Sequence, residues 1–592
     1  MNGNNMVDLV LRGGTVADGT GGELFEADIA VHQGRIQQVG KVSARGREEI
    51  DARGKLVTPG FIDVHTHFDG QAIWSQRLAP SSWHGVTTAV MGNCGVGFAP
   101  VRDTDHECLI ELMEGVEDVP GVVMREGLEW AWGSYGDYLD ALERKPHDID
   151  FCSQLPHAPL RTFVMGERAI RLEPATEADV AAMRLLTRDA MRAGAVGFST
   201  SRSILHKTST GAPMPTLRAT ERELMGIALG MQDAGSGVIG YRTDFDTEAL
   251  RLEEFDIMRR LVSTSGRPLS VSLFQENKAP LGWRHLLDLV EGAYAQGLPL
   301  RAQVAPRQLG VLLGLQSSQN PFSENASYKP IAKRPLAERL ATLHDASFRA
   351  RLLSEERPLQ RRLENMYDMS APRPAGALSP PRGSSKVAER LEGDAFDYGL
   401  PPEAALPAIA AREGRSAAEV AYDLLLQDEG RNFIYHAAAN YADGNFDACR
   451  AMLASPATVP GLGDSGAHVT MIVDASFPTY FLAYWARDRG PDAFALPWAV
   501  KRLTADCANA MGLADRGVLA VGKKADINVI DFNALTWQRP YMSFDLPAGG
   551  ARLLQGARGY SATIVSGQVV YRDGEATGAL PGRLVRSGVR SA

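Results

Sequence analysis

The chain has 592 residues, 44% of them apolar and 22% charged; that is the make-up of a globular protein with a large core, and it excludes disorder as the default. Its 62 basic and 71 acidic residues leave a net charge of −9 with both signs scattered, so no basic stripe points to nucleic acid or an anionic membrane, and a small-molecule partner is expected. No run reaches the roughly 18 apolar residues of a membrane span, and the opening MNGNNMVDLVLRGG lacks the basic start and apolar centre of a signal peptide, which gives a cytoplasmic expectation.

In chain order, residues 7–58 alternate apolar and polar positions between Gly and Asp-Gly turns and read as short strands. The stretch FIDVHTHFDG, residues 61–70, then carries His65 and His67 one residue apart at the end of a buried run, with Asp63 on the same face. Alternating strand positions point one way, so the two imidazoles converge, a geometry suited to zinc or another borderline divalent metal. Seven more apolar runs follow with helical stretches between them: GVTTAVMGNC, FCSQLPH, GAVGFST, GVIGYRT, PLSVSLF, PLRAQVA and TVPGLGDSGAH. Eight such units predict an α/β chain with a TIM-type (β/α)8 barrel over 59–512, interrupted near 308–455 by a helical and loop insertion. The β texture of 1–58 returns in 513–592, so both chain ends are expected to build one small β-sandwich. The Pro/Gly/Ser-rich stretch from Ala371 to Lys386 is a candidate lid.

In such a barrel the chemistry sits at the C-terminal strand ends. Those ends supply His65, His67, Cys94, His157, Ser199 to Ser201, Asp244, Gln275, Arg307, Asp464 and His468. Two histidines, a cysteine and an aspartate on separate strand ends make a stronger signal than any of them alone. Cys94, Cys108, Cys152, Cys449 and Cys507 are too few and scattered for a disulfide framework. Each reads as a free thiol, with Cys94 the candidate ligand.

The segments TPGFIDVHTHFDGQ, HGVTTAVMGNCGVGFAP, AGAVGFSTS and LGDSGAHV resemble the N-acyl-D-amino-acid deacylase (D-aminoacylase) branch of the amidohydrolase superfamily. The resemblance implies a hydrolase of linear C–N amide bonds, acting on N-acyl D-amino acids or related amides. It implies one or two zinc ions, or another divalent metal, held by His65, His67, Cys94 and Asp464, with Asp464 also taking the proton of the attacking water. Homo-oligomers are common among such enzymes, though no stretch here specifies an interface. Asp69 and His157 match family positions that orient substrate or water. His468, four residues past Asp464, is a further candidate for the mouth, and Arg202, Arg242 and Arg307 lie where a guanidinium can hold a substrate carboxylate.

The sequence departs from the family at the fifth and sixth strands, where each normally adds a metal-site histidine. No histidine stands between His206 and His285; Tyr241, Arg242, Thr243, Asp244 and Ser272, Leu273 occupy those places. Three readings follow. Asp244 replaces an imidazole, or the site holds a single metal, or Asp244 is a loop carboxylate paired with an arginine such as Arg242. His206 and His436, in expected loops, are candidates for a relocated ligand. Two other functional classes stand beside amide hydrolysis: a metal-dependent lyase or decarboxylase, and a non-catalytic barrel used for binding.

Overall fold

The computed structural model describes residues 6–355, 363, 366–369, 396, 398–400 and 402–588; the candidate lid from Ala371 to Lys386 lies outside them. Eight parallel strands line up in chain order: β1 (Phe61–Asp63), β2 (Val86–Met91), β3 (Asp150–Pro156), β4 (Gly197–Arg202), β5 (Val238–Thr243), β6 (Leu269–Ser272), β7 (Leu300–Val304) and β8 (Thr458–Pro460). They are the eight apolar runs of the sequence. Most are buried along their whole length, as parallel strands with both faces covered must be.

Helices such as Glu177–Ala193 and Glu221–Ala234 return the chain between strands and pack against each other. The first is opened by a reciprocal Thr176–Asp179 capping box and closed by Gly194 in the left-handed region. Helix His106–Glu117, between β2 and β3, buries Leu109, Ile110, Leu112, Met113 and Val116 and ends at a buried Glu117.

β1 and β8 stand at the two margins of this sheet. The barrel closes just beyond them, where Thr66 bridges Ser465 in parallel and the His67 N–H donates to the Ser465 carbonyl at 2.7 Å.

Between β7 and β8 the chain builds a subdomain with its own core of Leu313, Phe322, Leu352, Leu406, Tyr422 and Ile434. Its three-stranded sheet joins Leu309–Gly314, Phe433–Ala439 and Met366–Asp368. Hydrogen bonds pin it to the barrel mouth, among them Gln275 N–H to Asn440 Oδ1 at 2.7 Å.

The chain ends meet as expected, in one continuous sheet of nine strands. Leu56–Pro59 pairs antiparallel with Ile527–Ile530, over a core that includes Leu9, Ile29, Val57, Ile527 and Ile564. Among the described residues no helix is long and apolar enough to cross a membrane.

Candidate metal centre

The extension of β1 places His65 and His67 on one side of the mouth, both buried. His65 Nδ1 donates to Gln303 Oε1 at 2.6 Å, since a carboxamide oxygen only accepts, and this bond leaves Nε2 with a free lone pair. That Nε2 lies 3.5 Å from Cys94 Sγ and 3.2 Å from Asp464 Oδ1. His67 Nε2 is 3.8 Å from the same Asp464 oxygen. The donor atoms of His65, His67 and Cys94 all lie within 4.8 Å of one another. Ligands bonded at about 2.0–2.3 Å to a tetrahedral ion stand roughly 3.3–3.8 Å apart, so these spacings suit one cation with Asp464 as fourth ligand.

Glycine-rich turns make this convergence possible. Cys94 has φ +52° and Asp464 φ +43°, a left-handed region that non-glycine residues seldom occupy outside constrained sites. Asn93 holds the first turn down, its amide donating to Thr66 O at 3.0 Å and Val90 O at 2.9 Å. In the second turn Gly466 has φ +89°, and a Cβ there would stand 2.6 Å from the His67 carbonyl. Only glycine lets that turn approach β1 so closely.

The electrostatics fit a cation at this point. Burial, reinforced by His65, His468 and His206, keeps the His67 imidazole neutral, and both its ring nitrogens are buried without a hydrogen-bond partner. Burial and the neighbouring carboxylates of Glu117 and Asp464 push the Cys94 thiol well up. Burial likewise raises Asp63 to about 8, with Asp464 adding to the effect. The neutral His67 imidazole stands beside two acids, Cys94 and Asp63, held short of ionisation, and a divalent ion there would reverse the penalty on thiolate and carboxylate. The residues present therefore fit a metal.

Other candidates have different partners. Asp244 accepts from Ser203 Oγ at 2.6 Å and from the Ile204 amide at 2.7 Å, with Arg242 at 3.7 Å. Its carboxylate braces the loop after β4 and is not among the donor atoms gathered with His65, His67 and Cys94, which favours the reading of Asp244 as a loop carboxylate. His157 is fully buried between Thr200 at 2.8 Å and Glu223 at 3.0 Å, and the Arg161 guanidinium neutralises that glutamate at 2.9 Å. It is a packed core histidine and has no atom free for substrate. Arg307, 1% exposed, is paired with Asp474 at 2.7 Å and stacked on Tyr398 at 3.8 Å, so its charge is met within the protein. Arg202 is bound by Glu254 at 2.9 Å. Asp69 is buried and accepts from the Gly92 amide at 3.1 Å, tying β1 to the Cys94 turn.

Three candidates stay at the mouth. Arg242 spans the ends of β5 and β6, its guanidinium 5.2 Å over the Phe274 ring, and its charge reaches Cys94 and His206. His206 is held by Ser201 Oγ at 2.9 Å. His468 Nε2 lies 3.5 Å from Glu117 Oε2. His436 sits on the insertion strand opposite Val311. Sequence reading missed Gln303 and Glu117: the first follows from the rule that inward residues near strand ends serve the site, whereas the second is one acid in an amphipathic helix with no motif around it.

A model of the Amidohydrolase family matches residues 48–571. The D-aminoacylase of Alcaligenes xylosoxydans xylosoxydans is 32% identical over 299 residues, 49% of this chain and 55% of that protein, so the chain spans about half the length of that relative. An uncharacterised protein of Mycobacterium tuberculosis is 28% identical over 603 residues, covering 96% of this chain and 92% of its own length. In fold, the chain matches a crystal structure of the N-acyl-D-glutamate deacylase of Bordetella bronchiseptica complexed with zinc and a phosphonate inhibitor, with a TM-score of 0.63, 22% identity and coverage of 98% and 100%. With the match running from the terminal sheet through the barrel and back into that same sheet, this chain belongs to the amidohydrolase family.

Proposed function

We propose that the protein is a metal-dependent hydrolase of linear amides, deacylating N-acyl amino acids of the D series or closely related amides. The observation that carries this reading is the gathering of His65, His67 and Cys94 donor atoms within 4.8 Å of one another, with Asp464 at 3.2 Å from His65, at the C-terminal mouth of a parallel barrel. His65, His67, Cys94 and Asp464 would hold a divalent cation, zinc by ligand type, which would supply carbonyl polarisation and a more acidic water.

The chain's own groups do the rest. Asp464, partly exposed where His65 and His67 are buried, holds the proton of the attacking water and hands it to the leaving nitrogen, so a carboxylate and an amine result. Arg242, at the ends of β5 and β6, receives the carboxylate of the amino acid. Its charge stands on the side of the mouth where the described strand ends carry no histidine. Such an arrangement needs one cation. The printed names of the relatives, D-aminoacylase and N-acyl-D-glutamate deacylase, support the substrate class, and five free cysteines suit a reducing, cytoplasmic setting.

The test is elemental analysis of protein purified without chelator, followed by acid release from matched N-acyl D- and L-amino acids. Near one equivalent of zinc or manganese together with D-selective release is expected. Metal-dependent carbon dioxide release without deacylation would move the reading to a lyase. Absence of metal after reconstitution would leave a binding barrel.

A further inference from the structure

Resting on that metal-site reading, we propose that Glu117 is the positioning residue of the centre, one carboxylate that orients the ligand His67 and anchors the loop carrying Asp464. Glu117 ends helix His106–Glu117, outside the eight strands, and is 2% exposed. Its two oxygens face two different imidazoles: Oε1 lies 3.4 Å from His67 Nδ1, and Oε2 lies 3.5 Å from His468 Nε2. His67 Nδ1 and Glu117 Oε1 are each buried and without another hydrogen-bond partner, and they face each other at ion-pair distance. A buried donor and acceptor left unpaired are costly, so the pairing is the arrangement the burial favours.

The pairing decides a tautomer. With Nδ1–H donating to Glu117, His67 keeps its lone pair on Nε2, the nitrogen that faces Asp464 at 3.8 Å. His65 is oriented in the same sense by Gln303, so both histidines of the pair present Nε2. Glu117 does more than Gln303, because its backbone carbonyl also accepts from the His468 N–H. The next residue, Asp118, in the left-handed region at φ +52°, accepts from Thr470 Oγ1 at 2.9 Å and from Ser318 Oγ at 3.0 Å. The end of this helix therefore clamps the turn after β8 and the insertion together. His67 on one side of the barrel seam and Asp464 on the other are set by the same two residues.

The experiment measures zinc and manganese affinity of the apo-protein, by competition with a chromogenic chelator, for the parent, Glu117→Gln and Asp118→Asn. A carboxamide cannot accept from two imidazoles with the strength of a carboxylate, so Glu117→Gln is expected to weaken metal binding about 10–100-fold. Asp118→Asn loosens the same turn without touching His67 and is expected to weaken metal binding by less than Glu117→Gln does. A Glu117→Gln variant that binds metal as tightly as a metal-binding parent overturns the proposal and leaves the metal site standing. A parent that takes up no metal overturns both. Should Glu117→Gln fail to fold, the ring-nitrogen NMR signals of His67 in the zinc-loaded parent decide the matter. A proton on Nδ1 is expected, and a proton on Nε2 sinks the idea.

Discussion

At the ends of β1, β2 and β8 nitrogen, sulfur and oxygen atoms face one another with gaps of 3.2–3.8 Å, and both ring nitrogens of His67 are buried without a hydrogen-bond partner. At the ends of β3 to β5 comparable groups are satisfied within the protein: His157 by Thr200 and Glu223, Asp244 by Ser203 and Ile204, Arg202 by Glu254. Both regions are buried and rich in titratable groups. What separates them is pairing, so unmet hydrogen-bonding capacity marks the reactive side better than residue type does.

The comparison breaks most decisively through the ligands. His67→Ala or Cys94→Ala should remove bound metal and lower amide hydrolysis by on the order of 10³-fold, the size of effect expected when several kcal/mol of carbonyl polarisation is lost. Metal retained in either variant would show that the unpaired atoms are not ligands. Next in size, Arg242→Gln should cost about 10–100-fold in kcat/KM for substrates bearing a free carboxylate. The same substrates with that carboxylate converted to an amide should lose little, and equal loss for both would deny Arg242 the carboxylate.

Asp244→Ala should leave metal content unchanged while lowering stability by about 1–3 kcal/mol, read from denaturant unfolding, because two donors on the loop after β4 lose their acceptor. A fall in metal content would restore Asp244 as a ligand. The smallest effect concerns His157. Burial holds its imidazole below the ordinary histidine range despite the opposing pull of Glu223, so the folded state keeps it neutral where the unfolded chain takes up a proton. Stability then falls as pH drops below about 6.5, the unfolded value. His157→Gln should flatten that slope without altering metal affinity, and an unchanged slope would mean other groups set it.

Much of the fold was legible because the eight apolar runs had strand length and Gly or Pro punctuation, and each became a barrel strand in the expected order. The helical insertion and the union of both chain ends also followed from texture alone. Within the site, His65, His67, Cys94 and Asp464 could be picked out because three segments place metal-binding residue types at strand ends. Arg307 and His157 share that address yet differ in what packs against them. Asp474 and Tyr398 come from segments remote in sequence, and no strand-end rule anticipates them. Glu117 lay out of reach for the opposite reason: a carboxylate near the end of an amphipathic helix is the ordinary pattern of a solvated face, and only the tertiary fold turns it inward.

The Thr66–Ser465 bridge and the His67–Ser465 hydrogen bond tie the barrel at its seam, and the atoms gathered for a cation lie astride that seam. An ion bound to His65 and His67 on one side and Asp464 on the other is thus also a rivet between the first and last staves of the cylinder, joining two points whose separation along the chain makes their encounter entropically dear. Stripping the ion should loosen the cylinder along this one line before the rest, seen as faster amide exchange at Thr66 and His67 than at the middle strands. The catalytic centre and the last closure of the fold would then be governed by one concentration, that of the free metal.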